Sequence, residues 1–526
     1  MEQVGLARRD FLKGIAAAAL TAGFIGPSEA KAFMDGKQCG QAHNILPQNL
    51  QPYPVIKARR GTEQFWDQVK QTFVLPDDYF HMNTGTTGSQ PLFSLVNLGV
   101  YNLYKSMDPR DWELNLNADY PGLYPVTATI LGTLSLPNRQ AAVAAQYGAN
   151  ADEIVLSYNT TDACNLIFAG TPWNQGDRII TTQMEHPALE GPINWARDYH
   201  TVDVQFVDIP SNFTSSISVD DVVDLFRAKL GLGGLSTGAK QYVAFSEIFY
   251  KNGLRMPVKQ ICNMARDEFG AFSIVDSAHG WGQLAIDCHD YGADFIAGAG
   301  HKWLCGGPGT GIFYVRNSYM GPKPISSPWK LPPFAMGNFF LYANGDLPSH
   351  QSANFDTRSW ALGGPSTYVQ LRGELNYPAL YAMSDSAAYF NYLGVQDIYH
   401  RGVALGHYLK HKITAQWGNK ALWVQPGDPS FATAVTSFNP FFGKNDPAQY
   451  GAMNNAMTSI LSTLAGEDPK IYIRSTQWHN LHTDTADNRC GFRVSTHGVY
   501  NNYQQIDHMF DRLVKAVNAS GLPQLH

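Results

Sequence analysis

The chain has 526 residues, 44% of them hydrophobic and 16% charged, with a formal net charge of -6. That balance excludes a disordered or fibrous chain, and the length allows more than one packed core. Lys and Arg are scattered, which argues against a nucleic-acid partner, and no apolar run is long enough for a stable membrane span.

In chain order, residues 1–32 read as an export signal. Arg8 and Arg9 precede Phe11, Leu12 and Lys13, a mildly apolar stretch runs from Ile15 to Ile25, and Ala30-Lys31-Ala32 offers a small-x-small cleavage site. The paired arginines resemble a twin-arginine signal, so the expected partner during export is the twin-arginine translocon and the expected location is the periplasm. Residues 33–75, with Pro47, Pro52 and Pro54, read as an extended arm.

From 76 to 316 short β-rich runs alternate with helical segments. The runs are Glu153–Ser157, Arg178–Thr182, Tyr242–Ser246, Phe272–Asp276, Asp294–Ala297 and Gly311–Val315. Among the helices, Val258, Ile261, Met264 and Ala265 keep helical spacing, and Gly270 closes the segment. This alternation predicts an α/β fold with a mostly parallel sheet covered on both faces. Residues 317–356 are rich in Pro, Gly, Ser and Asn and read as a linker or lid. Residues 357–526 predict a smaller α/β domain, with short strands near Ile471–Arg474 and Phe492–Ser495.

The cysteines are Cys39, Cys164, Cys262, Cys288, Cys305 and Cys490, with no Cys-x-x-Cys and no zinc spacing. Most are expected to be buried. No metal site is expected; His479 and His482 read as part of a solvated loop.

In a sheet of this kind ligands bind at the carboxyl ends of the strands, so the residues after each strand carry the chemistry. After Glu153–Ser157 come Thr160, Thr161 and Asp162, opening a helix whose N-terminus suits either a plain cap or an anion. After Arg178–Thr182 comes His186. Asp276 closes an apolar strand, where a carboxylate is costly unless paired. After Asp294–Ala297 come His301 and Lys302 in GAGHKWLCGGPGTG, where the glycines are expected to clear space for a ligand. No lysine follows the glycines as a phosphate loop requires, and no GxGxxG follows a strand. Anion site, aromatic ring, buried carboxylate and lysine, in that order, are the four things pyridoxal 5'-phosphate needs. They serve its phosphate, its ring, its pyridine nitrogen and its aldehyde.

VDSAHGWGQL followed by GHKWLCGGPGTGIFYV resembles class V aminotransferases, which have the fold of type I pyridoxal phosphate enzymes, and within them the isopenicillin N epimerase-like branch. NTGTTG at Asn83–Gly88, MEHPAL and RVSTHGVYNN at Arg493–Asn502 extend the match. With an export signal, the chain is similar to periplasmic enzymes that tailor pyoverdine-type siderophores. The resemblance implies that Lys302 forms the Schiff base and moves the α-proton, that Asp276 pairs with the pyridine nitrogen, and that His186 stacks on the ring. It places Thr160, Thr161 and His301 at the phosphate and His279 near the phenolic oxygen. It gives Arg493 and Thr86 to the substrate, a small-molecule or peptidic amine, and Thr357 to the phosphate of the neighbouring subunit in a homodimer.

The sequence departs from the family at Ala299, where a serine often serves the phosphate. It also lacks a cysteine in Ser475–Asn480, where cysteine desulfurases carry one. Amino-group transfer and epimerisation begin with removal of the same proton, so the sequence leaves both open; transfer is taken first and epimerisation second. Desulfuration or C–S cleavage, and a non-catalytic periplasmic binding protein, are the remaining alternatives.

Overall fold

The structure is a computed structural model that describes residues 56–119, 135–210, 216–316, 370, 374–478 and 489–526. The export signal, the 317–356 insert, Thr357, His479 and His482 lie outside the described residues.

The strands are β1 (Tyr79–His81), β2 (Ile154–Ser157), β3 (Arg178–Thr182), β4 (Asp203–Val207), β5 (Gln241–Ser246), β6 (Phe272–Asp276), β7 (Phe295–Ala299), β8 (Gly311–Val315), β9 (Val435–Phe438), β10 (Lys470–Tyr472), β11 (Arg474–Trp478) and β12 (Arg489–Ser495). Of the helices, α1 is Leu92–Met107, α2 Leu136–Gln146, α3 Thr160–Gly170, α4 Pro187–His200, α5 Val258–Phe269, α6 Tyr377–Leu393, α7 Val395–Trp417, α8 Tyr450–Ala465 and α9 Tyr503–Ala519.

Seven strands form one sheet in the order β2-β8-β7-β6-β5-β3-β4. Side chains on a strand alternate between faces, and here both faces are apolar. Leu156, Ile180, Val243, Phe245, Val275 and Ile296 face one side, with residues of α1, α2, α5 and α6. Val155, Ile179, Ala244, Ile274, Ala297 and Phe313 face the other, with α3 and α4. This is the doubly covered, mostly parallel sheet expected of a type I pyridoxal phosphate fold. β8 runs antiparallel to β7 and β2, because a tight turn over residues 300–310 joins it to β7 and no crossover helix intervenes. β4 has no counterpart among the predicted strands. It lies at the sheet edge, and four of its five residues are only half-buried, so it shows no apolar run.

A second core lies in the carboxy-terminal part. Leu405, Leu409, Met457, Ile460, Met509 and Leu513, from α7, α8 and α9, pack on Phe492 and Val494 of the antiparallel sheet β11-β12-β9. The expected single strand at 471–474 is two, β10 and β11. β1 pairs in parallel with β10, so the chain entering the 83–88 loop is bonded to the carboxy-terminal body.

Candidate active site

The carboxyl ends of β2, β3, β6 and β7 converge on a cavity of about 410 Å³, closed from the other side by the 83–88 loop and by β11 and β12. Lys302 lines it. The turn that carries Lys302 is held by hydrogen bonds from Gly300 N–H to the Thr310 carbonyl (2.9 Å) and from Gly306 N–H to the Gly300 carbonyl (2.8 Å). The glycines here answer to the protein and not to a ligand: a Cβ at Gly298 would collide with the Trp281 ring, and one at Gly300 with Met383 of α6. The expectation that they clear space for a ligand is corrected on that ground.

Asp276 is buried one hydrogen bond behind the lining, where its Oδ1 accepts from the N–H of Ala278 (2.8 Å), itself a lining residue. Burial pushes its carboxyl up, while the Ala278 hydrogen bond and the charge of Lys302 pull it back down. Burial likewise lowers Lys302 to about 8, with Arg493 and Arg474 adding to the fall and Asp276 opposing it. Each group thus feels the other's charge, Lys302 from the cavity lining and Asp276 from one hydrogen bond behind it.

Three histidines line the same space, each lowered first by burial and then by the charge of Lys302. His186 falls to about 4. It is the N-cap of α4: its Nδ1 accepts from the N–H of Ala188 (3.1 Å), which leaves the proton on Nε2. Its ring meets Tyr250 edge to face, at 4.8 Å between centroids. His279 Nδ1 accepts from the Trp303 indole N–H (3.2 Å), so its Nε2 also carries the proton, and that donor has no partner among the described residues. His301 Nδ1 lies 3.3 Å from the Thr310 carbonyl.

Thr160 and Thr161 open α3 directly after β2 and line the cavity, with Asn159 capping the helix by accepting from the N–H of Asp162. The Thr160 hydroxyl is buried with no partner among the described residues, and Thr161 is exposed. A free hydroxyl beside the open N–H groups of an eleven-residue helix is an anion cradle.

Arg493, on β12, is 1% exposed. It donates to the carbonyl of Tyr250 (2.9 Å), to Asn83 Oδ1 (3.1 Å) and to Thr86 Oγ1 (3.0 Å), and its Nε has no partner. Burial, and then the charge of Arg474, bring it down to about 9. The 83–88 loop reaches it because Ser495 N–H donates to the Met82 carbonyl (2.9 Å) while Gly88 N–H donates to the His301 carbonyl (2.8 Å).

The predicted site residues inside the described chain therefore line this cavity, except Asp276, which lies one hydrogen bond behind it. Arg474 and Tyr250 line it as well and escaped the sequence reading. Tyr250 lies a few residues past β5, outside any motif at that strand end. Arg474 looked like the last residue of a strand.

The residues fit pyridoxal phosphate on features of their own. A free hydroxyl at a helix N-terminus suits a phosphate, an unpartnered His279 N–H suits a ring oxygen, Asp276 suits a ring nitrogen, and Lys302 suits an aldehyde.

Residues 133–342 match the family model "Aminotransferase class-V". A probable cysteine desulfurase of Methanothermobacter thermautotrophicus is 24% identical over 71% of this chain and 81% of its own length. The isopenicillin N epimerase of Streptomyces clavuligerus is 23% identical over 51% of this chain and 62% of its own. Among solved structures, the apo cysteine desulfurase of Thermococcus onnurineus NA1 superposes with a TM-score of 0.64, at 19% identity, covering 88% of this chain and all of the other. A C-DES variant with glycine covalently linked to its PLP cofactor gives 0.59 at 17% identity, covering 84% of this chain and 96% of the other.

Proposed function

We infer that this chain, which carries the class V aminotransferase family over residues 133–342, is a pyridoxal 5'-phosphate enzyme that removes the α-proton of an amino acid or peptidic amine, most directly for amino-group transfer. The observation that carries this reading is the placement of Lys302 in the cavity with Asp276 buried behind it.

When bound, the cofactor supplies an aldehyde that takes amines and a ring that stabilises a carbanion. Lys302 would hold it covalently, Asp276 would keep a ring nitrogen protonated, and Thr160, Thr161 and His301 would take the phosphate. His186 and His279 would flank the ring. The protein's own part is then simple. Lys302 Nζ holds and moves the proton of the substrate α-carbon, and its lowered basicity leaves a useful fraction of neutral amine near neutral pH. Arg493 orients the substrate carboxylate with a planar fork already fixed by Asn83, Thr86 and the Tyr250 carbonyl.

Amino-group transfer would leave the substrate α-carbon oxidised to a keto acid, whereas epimerisation would put a proton from solvent on the opposite face of that carbon, so both release an α-deuterium. Purified protein mixed with α-deuterated amino acids separates the two. Keto acid formed in step with loss of deuterium supports transfer, and loss of deuterium without keto acid supports epimerisation. Loss of neither, across a broad set of amines, would sink both.

A second reading, C–S cleavage, is favoured by the desulfurase relatives. The described lining holds no cysteine to receive sulfur. Cys490 sits with Phe492 and Val494 in the second core, on the opposite face of β12 from Arg493, and the other described cysteines are buried too. C–S elimination needs no such thiol, and pyruvate and ammonia with sulfide from cysteine, or with cysteine persulfide from cystine, would mark it.

Export to the periplasm, a homodimer in which Thr357 serves the neighbouring site, and work on a siderophore precursor complete the proposal. Export rests on the leader motif, and Arg8→Lys with Arg9→Lys should trap the protein in the cytoplasm on cell fractionation.

A further inference from the structure

Arg474 and Arg493 stand directly opposite each other on the antiparallel strands β11 and β12, and both line the cavity. Like charges at directly opposed positions destabilise a sheet, so the pair calls for a counter-charge. The described chain supplies none. Arg474 donates to the Ser475 carbonyl (2.9 Å) and to Thr86 Oγ1 (3.1 Å), and Arg493 donates only to neutral oxygens. Among the described residues, no Asp or Glu lines the cavity and Arg493 Nε is buried without a partner.

The pair is also built, not incidental. One hydroxyl, that of Thr86, donates to Asn83 Oδ1 (3.0 Å) and accepts from both guanidiniums, which uses its whole bonding capacity and fixes the two forks relative to each other. A guanidinium nitrogen from each arginine thus lies within 3.1 Å of a single oxygen. Two anionic groups gripped there must sit close together.

We propose that Arg474 and Arg493 form a paired anion grip and that the amine substrate carries two carboxylates a short chain apart, one for each guanidinium. The amine chemistry rests on the reading above; the second charge rests on the arginine pair alone. Arg474 is then a specificity-determining residue, selecting short amino diacids, free or at the end of a peptide, over neutral amino acids.

The test is calorimetric binding of succinate and of butyrate to the protein loaded with pyridoxal phosphate, with the visible cofactor band recorded on the same sample. Succinate is expected to bind about tenfold tighter or more, as a charge-assisted hydrogen-bonded contact provides. In Arg474→Gln the ratio should fall toward one, and in Arg474→Lys it should be intermediate. A ratio near one in the unaltered protein, or a ratio that survives Arg474→Gln, would overturn the proposal with the cofactor reading intact. So would Arg474→Gln weakening cofactor uptake in place of succinate binding, which would give the arginine to the cofactor's phosphate. A protein that prefers succinate in the expected ratio yet takes up no cofactor would support the paired grip and overturn the cofactor reading.

Discussion

A lysine amine attacks an aldehyde only when it has lost its proton, so the state of Lys302 sets how this cavity is loaded. Burial, with two nearby arginines, brings the amine down to about 8. The neutral, reactive form therefore grows as pH rises through that value. The rate at which cofactor-free protein takes up pyridoxal phosphate should rise from pH 6 to 8 and level off above about 9, followed by stopped-flow absorbance. A flat profile would remove Lys302 as the titrating nucleophile. Asp276 acts by charge. Asp276→Asn keeps the shape and the hydrogen bond from Ala278 but loses the anion, and should lower turnover about a hundredfold or more while the cofactor stays bound, since breaking a buried charge pair costs about 3 kcal/mol. At this scale much was legible in the sequence, because Asp276 closes an apolar strand and Lys302 and His186 follow one. Arg474 was not, because its meaning comes from the residue across the sheet, and register is set by folding rather than by local sequence.

At the scale of elements, the site depends on loops pressed together. Gly88 lies so close to the Lys302 carbonyl that a Cβ there would collide with backbone. Gly88→Ala should push the 83–88 loop off the lysine turn and weaken cofactor retention, read by dialysis of the loaded protein, with the far-UV circular dichroism unchanged. Helix α6 is anchored separately. Asp385 on α6 is buried and accepts from Arg139 of α2 (2.6 Å), Tyr101 (2.7 Å) and Asn97 (2.9 Å), the last two on α1. Asp385→Ala should cost about 3–5 kcal/mol in urea unfolding, because it breaks the buried ion pair with Arg139. α6 matters to chemistry through Met383, which packs where Gly300 lacks a side chain. The strands of the central sheet were legible as apolar runs, whereas β4 was hidden by its half-exposed edge position and β1 by its pairing with β10 far along the chain.

Across the whole molecule, a chain of formal net charge -6 gathers Lys302, Arg474 and Arg493 around one cavity whose described lining holds no acid. Such a concentration of positive charge around one cavity favours anionic ligands and should make the fold itself respond to them. Pyridoxal phosphate at a hundred times its dissociation constant should stabilise the protein by about 2.7 kcal/mol, seen as a raised melting temperature. Pyridoxal without its phosphate should do less.

The most direct test is the visible absorption spectrum of the purified protein beside that of Lys302→Ala, followed by borohydride reduction and peptide mapping. The expected result is a yellow protein whose reduced cofactor is found on the peptide containing Lys302, with the band absent from the variant. A colourless protein that takes up no added pyridoxal phosphate, or cofactor fixed to a lysine other than Lys302, would contradict this assignment of the site.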